Sequence, residues 1–362
     1  MISDSLRHEI AEHSCISCGT DIPWQPFFQK KKLKIGFMGG SVTQGYIQQQ
    51  IAKDPYPFIF RQLLSDQGYS VETICCAAAG MDTMQGNALA QKEILDKSPD
   101  LVFLEYGINE TTLRHSVLSF ESLLRKLLEA ENPPIVCIFI VRSQQGYSCE
   151  SFMRPIAEHY GLPCVCLPSG IGTPLTEGRL NWEDYADAES HPSADGHRLL
   201  AECLMYLLEQ AKSIPETPQT PCPLPEPWLD APYRRLQWFP AGTLTQADTD
   251  FETVTRDDTY YPLVYRGNAD HARFILNIEA KAIVLFFEAH HLPEYGSARV
   301  LVDGKEVSHP LINQSVIHCN SIYGWGNAMP LLLVDEEETK AHRVALTPME
   351  RNFYLLGIGI VP

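Results

Sequence analysis

Four short stretches of this 362-residue chain combine residue types that can do nucleophilic chemistry. The first is Lys34-Ile35-Gly36-Phe37-Met38-Gly39-Gly40-Ser41-Val42-Thr43-Gln44-Gly45, an apolar run that ends in two glycines and a serine. Gly39 and Gly40 let the chain turn sharply and let a substrate approach the backbone. Ser41 then falls where a helix would start, and free N–H groups at such a point stabilise negative charge. That suits a serine nucleophile whose own N–H is one oxyanion donor. The competing reading is a helix N-cap after a glycine turn. A phosphate loop is disfavoured, because no Lys-Ser/Thr follows at the Walker spacing and no Gly-x-Gly-x-x-Gly is present here.

The second stretch, Cys75-Cys76-Ala77-Ala78-Ala79-Gly80-Met81-Asp82, ends a strand-like run in small residues, and the Gly80 N–H is a candidate second oxyanion donor. Tight packing explains it equally well. The third, Leu101-Val102-Phe103-Leu104-Glu105-Tyr106-Gly107-Ile108-Asn109-Glu110, places Asn109 after an apolar strand, where its amide could donate to an oxyanion. An Asn in an ordinary turn is the rival reading. The fourth is Ser190-His191-Pro192-Ser193-Ala194-Asp195-Gly196-His197. Pro192 holds His191 extended and Ser193 can cap the next helix, so His191 could reach across strand ends as a general base. His197, inside that helix, reads as structural.

Positioning these residues requires a particular scaffold. Apolar runs at Leu33–Met38, Val71–Ala77, Leu101–Tyr106, Ile135–Val141 and Pro163–Leu167 suit strands covered on both faces. Helix-like stretches lie between them at Pro57–Gln67, Asn87–Lys97, Val117–Glu131, Cys149–Tyr160 and Ala194–Gln210. This alternation predicts an α/β domain with a parallel sheet between helices, and such sheets place ligands at their strands' carboxyl ends. Seven prolines from Pro215 to Pro232 then mark an extended linker. Beyond it, Phe274–Ala289, the Asp303-Gly304 hairpin and Asn352–Val361 read as all-β, in a sandwich of jelly-roll type. The expected layout is an N-terminal extension (1–30), an α/β domain (31–212), a Pro-rich linker (213–233) and a β-sandwich (234–362).

Taken together, Ser41, Gly80, Asn109 and His191 occur in the block order of the SGNH/GDSL hydrolase superfamily, which the first 210 or so residues resemble. Gly39-Gly40-Ser41 resembles a Gly-Gly-Ser variant of that family's first block. Gly107-Ile108-Asn109-Glu110 and His191-Pro192 resemble its third and last blocks. The resemblance implies a three-layer flavodoxin-like fold and serine esterase chemistry. Ser41 would be the nucleophile and His191 the base, with Ser41 N–H, Gly80 N–H and Asn109 forming the oxyanion hole. Three positions depart from the family pattern: Gly40 and Glu110 stand where Asp is usual, and Ala188 occupies the place of the acid three before His191. Asp187 and Glu189 flank it, and either could orient His191; a backbone carbonyl serving a Ser-His dyad is the third option.

Lys+Arg number 28 and Asp+Glu 45, a formal charge of −17, which argues against nucleic-acid or anionic-membrane partners. Hydrophobic residues at 44% and charged ones at 20% allow a sizeable core. The longest apolar run, Ile135–Val141, is far too short for a membrane span. Eleven cysteines and no visible secretion signal suggest a cytoplasmic chain with reduced thiols, Cys75–Cys76, Cys164 and Cys166 being core residues. Cys15-x-x-Cys18 lacks the further ligands a zinc site needs, and no metal or cofactor is expected. His290-His291 could bind a metal or reach the active site, but a loop in the β domain fits better. Trp228, Trp238, Tyr260, Tyr261 and Trp325 could stack on a sugar or cover the sandwich core.

The expected function is removal of a small acyl group, acetyl above all, from a carbohydrate ester through an acyl-enzyme. The sugar preference rests on the resemblance alone. The rivals are an acyltransferase, lipase or thioesterase of the same superfamily, and a binding module with a decayed site. For the β domain, the readings are substrate binding, a lid over Ser41, or a homo-oligomer contact.

Overall fold

The computed structural model describes residues 1–19, 22–47, 50–215, 223–269, 272–307, 316–318 and 326–362. The chain forms two compact units, Met1–Arg234 and Arg235–Pro362.

The first unit runs α1 (Asp4–Ser14), β1 (Cys15–Cys18), α2 (Trp24–Gln29), β2 (Lys32–Gly39), α3 (Ser41–Gln44), a small hairpin β3 (Tyr46–Ile47) and β4 (Gln50–Ile51), and α4 (Tyr56–Asp66). It continues with β5 (Ser70–Ala77), α5 (Thr83–Glu93), β6 (Leu101–Glu105), α6 (Arg114–Leu128), β7 (Ile135–Ile140), α7 (Glu150–His159), β8 (Pro163–Cys166), α8 (Leu167–Thr176), α9 (Trp182–Tyr185) and α10 (Ala194–Lys212). The sheet order is β1-β8-β7-β6-β2-β5. Strands β8, β7, β6, β2 and β5 are parallel, and β1 adds an antiparallel edge. Successive side chains point to opposite faces. Ile35, Phe37, Phe103, Phe139 and Val165 join Ile10, Trp24, Phe60 and Leu204 in a core on one face. Val102, Leu104, Val136, Ile138 and Ile140 are equally buried on the other. The result is the expected three-layer α/β architecture.

Residues 1–30, expected as an extension, are built into this unit. Ile2, Ile10, Trp24 and Phe27 are buried, and Cys15–Cys18 forms an edge strand of the sheet. Cys164 and Cys166 lie in the core as expected, whereas Cys75 is exposed because β5 is the far edge of the sheet. The described part of the proline-rich stretch is tied down on α6. The N–H groups of Trp228, Leu229 and Asp230 bond to Glu121, and the Tyr233 N–H donates to Ser122 Oγ at 3.0 Å. Pro218 and Pro221 lie outside the described residues. None of the described helices is long and apolar enough to cross a membrane.

The second unit is all-β, with antiparallel ladders among β9 (Gln237–Pro240), β10 (Asp248–Thr249), β11 (Glu252–Thr255), β12 (Leu263–Asn268), β13 (Phe274–Ala289), β14 (Ser297–Val302), β15 (Lys305–Glu306), β16 (Val316–His318), β17 (Asn327–Glu350) and β18 (Asn352–Val361). The long strands β13 and β17 pair along their lengths through bulges, which bend strands. Asp303 and Gly304 both have positive φ, 52° and 78°, as a two-residue hairpin turn demands. Trp238 packs edge-on against Phe286 and Tyr261, covering the core. His290 stacks on His291 and Tyr295. Trp325 lies outside the described residues.

Candidate active site

Register brings the motif residues to one edge. Gly39 pairs with Ala77 on one side and Glu105 on the other, so β2, β5 and β6 end at the same level. Ser41, Gly80 and Asn109 follow these ends by two, three and four residues. Direct contacts then join the loops. Gln44, in the turn after Ser41, accepts the Ala79 N–H at 2.9 Å through Oε1. The Asn109 amide lies against Gly40, where a Cβ would sit 2.1 Å from Oδ1 and 2.6 Å from Nδ2. Any other residue at position 40 would push Asn109 aside. Gly80 itself turns the chain with φ of 73°, a conformation that glycine adopts without strain.

Helix α3 is one turn long, so its contribution is the individual N–H groups at Ser41 and after, rather than a macrodipole. Opposite it, Ser193 caps α10 by accepting the Gly196 N–H at 3.1 Å, and α10 starts just after His191-Pro192. His191 thereby reaches Ser41: Nε2 stands 3.1 Å from Oγ. Both residues are only 7% exposed, and the Tyr46 ring meets the imidazole edge-on at 5.2 Å.

The other imidazole nitrogen, Nδ1, faces two acids. Asp187 Oδ2 is at 3.5 Å and Glu189 Oε2 at 3.7 Å. The distances barely differ, but the surroundings do. The Asp187 side chain is 20% exposed and its Oδ1 accepts the N–H groups of both Glu189 and His191 at 2.9 Å. The Glu189 side chain is 67% exposed, so its charge is screened and its rotamers are free. His197, as expected, is structural: buried, pushed down to about 4 by that burial, with Nδ1 accepting the Tyr56 N–H at 3.3 Å.

Sequence reasoning passed over a buried network beneath Ser41. Thr43 Oγ1 donates to Glu105 Oε2 at 2.9 Å and contacts Tyr56 Oη at 2.8 Å. The available signal was a lone acid closing an otherwise apolar, doubly covered strand. Burial pushes the Glu105 carboxyl up to about 8, against partial compensation by the hydroxyl and N–H of Thr43 and the N–H of Gly107. Between about 4.5 and about 8 the unfolded chain has lost this proton and the folded chain keeps it. Stability therefore falls as pH rises through that window. Glu105→Gln removes the slope, so its melting temperature should gain roughly 5 °C on wild type between pH 5 and pH 8. Burial pushes Glu110 up to about 8 as well, with Asp82 nearby adding to it, but it contributes equally to both proteins. Parallel thermal scans at the two pH values check this; a constant difference contradicts it.

Cys15 and Cys18 sulfurs are 3.8 Å apart. Among the described residues, no group of three metal-ligating side chains gathers there or elsewhere.

Residues 37–199 match the sequence model of the GDSL-like lipase/acylhydrolase family. The chain resembles the crystal structure of a two-domain esterase active on acetylated mannans, with 21% identity, a TM-score of 0.87, and 97% of this chain and 99% of that chain covered. A second structure of such an esterase, co-crystallised with mannopentaose, matches with 20% identity and a TM-score of 0.84 over 97% and 98% of the two chains. At these identities the likeness establishes the shared two-domain fold. No curated protein sequence matches the chain. The stretch that matches the GDSL-like lipase/acylhydrolase family model, residues 37–199, is the one that carries Ser41, Gly80, Asn109 and His191.

Proposed function

We propose that this protein is a serine esterase that removes acetyl groups from a carbohydrate. The observation that carries the proposal is the 3.1 Å approach of His191 Nε2 to Ser41 Oγ with an acid behind Nδ1. In this scheme His191 takes the Ser41 proton as Oγ bonds to the ester carbonyl carbon. The carbonyl oxygen becomes an oxyanion, held by the N–H groups of Ser41 and Gly80 and by the Asn109 amide. Collapse breaks the bond to the sugar oxygen, which takes the proton from His191. Water then attacks the acetyl-Ser41 carbonyl, giving its proton to His191, and acetate leaves with Ser41 reprotonated. Asp187 holds the His191 tautomer and stabilises the imidazolium that forms.

The sugar preference is supported by the neighbours, which are named as esterases active on acetylated mannans. A neutral glycan also suits a chain of net charge −17 better than a polyanion. Eleven cysteines, an odd number, support placing the enzyme in a reducing cytoplasm.

The test compares p-nitrophenyl acetate with p-nitrophenyl octanoate and measures acetate release from acetylated mannooligosaccharides. The expected result is a kcat/KM for acetate at least about tenfold above octanoate, and acetate release from the glycan. A preference for octanoate would favour a lipase or thioesterase, and acetyl transfer to a sugar without acetate release an acyltransferase. Absence of all turnover would favour a binding module.

A further inference from the structure

The segment Asp187-Ala188-Glu189-Ser190-His191 closes on itself. The Asp187 N–H donates to His191 O at 2.9 Å, the Ser190 N–H to Asp187 O at 3.1 Å, and Asp187 Oδ1 accepts two more N–H groups from within the loop. A bridge between Ala186 and Pro192 seals its base. Asp187 lies four positions before His191, one more than the spacing of an acid three before the histidine. The loop absorbs the longer path at Ser190, whose φ of 75° lies in the left-handed region.

A glycine would take that conformation without strain, and a serine there is costly unless its side chain is used. It is used: Ser190 is 3% exposed, and its Oγ accepts the Gln144 N–H at 3.0 Å from the loop that follows β7. We infer that Ser190 is a positioning residue, whose left-handed turn aims Asp187 at His191 Nδ1 and whose hydroxyl locks that turn to the Gln144 backbone. The inference rests on the Ser-His reading above. It deepens that reading by stating what lets Asp187, at this spacing, serve His191.

Two variants separate the parts. Ser190→Gly keeps the backbone turn and deletes the hydroxyl; Ser190→Val puts a β-branched side chain where φ is positive. Expected are losses in kcat of about tenfold and about a hundredfold, with KM for p-nitrophenyl acetate within about twofold of wild type, because the reacting groups are misaimed while the binding surface is untouched. The downfield proton resonance of a hydrogen-bonded His191 Nδ1–H should be present in wild type and lost or broadened in Ser190→Gly. A purely structural role would lower the melting temperature without moving either readout. Should Ser190→Val fail to fold, Ser190→Gly decides alone. Wild-type kcat and an unchanged resonance in Ser190→Gly overturn the inference, while a wild type that a fluorophosphonate labels at Ser41 leaves the Ser-His reading standing. A wild type that is neither active nor labelled overturns both.

Discussion

Ser41→Ala is expected to lower p-nitrophenyl acetate hydrolysis by about 10⁴-fold or more, the scale on which removing one member of a triad acts. The loss should fall in kcat, since the variant keeps the oxyanion donors and the surface that binds the ester. Stability should hardly change. The hydroxyl meets His191 Nε2 at 3.1 Å, and its removal leaves only a small gap beside the imidazole. The melting temperature is therefore expected within roughly 3 °C of wild type. Steady-state kinetics and a thermal scan on the same preparations check both halves. Activity within tenfold of wild type in a folded variant would remove Ser41 from the mechanism.

The second large effect separates the two acids behind His191. Asp187→Asn is expected to reduce kcat by about 10³ to 10⁴-fold. The substitution keeps Oδ1 as acceptor for the Glu189 and His191 N–H groups, so the loop stays closed. It replaces Oδ2, at 3.5 Å from Nδ1, with a donor. The imidazole must then present Nδ1 as acceptor and carry its proton on Nε2, where it cannot accept from Ser41. Glu189→Gln is expected within about threefold of wild type. Its oxygen is nearly as close, at 3.7 Å, but the side chain is mostly in water. Kinetics of the two variants side by side check the assignment. A crippled Glu189→Gln beside a near-normal Asp187→Asn would exchange the roles, and two near-normal variants would establish a dyad.

Much of the first unit is legible in its sequence because its strands are covered on both faces. Val71–Ala77 and Ile135–Val141 are apolar without alternation, and the strands they announce span Ser70–Ala77 and Ile135–Ile140. Helix α5 starts earlier than periodicity places it, at Thr83 rather than Asn87, because Asp82 caps it through the Gln85 N–H. Helix α8 was missed for a different reason. Leu167–Thr176 contains Pro168, Gly170, Gly172 and Pro174, all poor helix formers. Packing overrides propensity there: a Cβ at Gly170 would lie 2.4 Å from Ile10 O, so the glycine lets α1 approach. Four residues of mixed polarity, Cys15–Cys18, carry too little pattern to announce an edge strand.

The site was legible in proportion to how local its parts are. Ser41, Gly80, Asn109 and His191 each follow a strand end or precede a helix, and such positions are marked by Gly, Pro and caps. The choice between Asp187 and Glu189 was not legible, because it depends on the path of a loop bent at Ser190 with φ of 75°. Nor was Glu105, whose place under Ser41 depends on the pairing of β2 with β6.

The central claim is that Ser41 is a nucleophile activated by His191. Its most direct test is reaction of the intact protein with a fluorophosphonate, followed by intact mass and peptide mapping of wild type, Ser41→Ala and His191→Ala. One adduct per chain on Ser41 in wild type, none in Ser41→Ala and strongly slowed labelling in His191→Ala is the predicted result. A folded wild type that takes up no adduct, or carries it on another residue, would contradict the account.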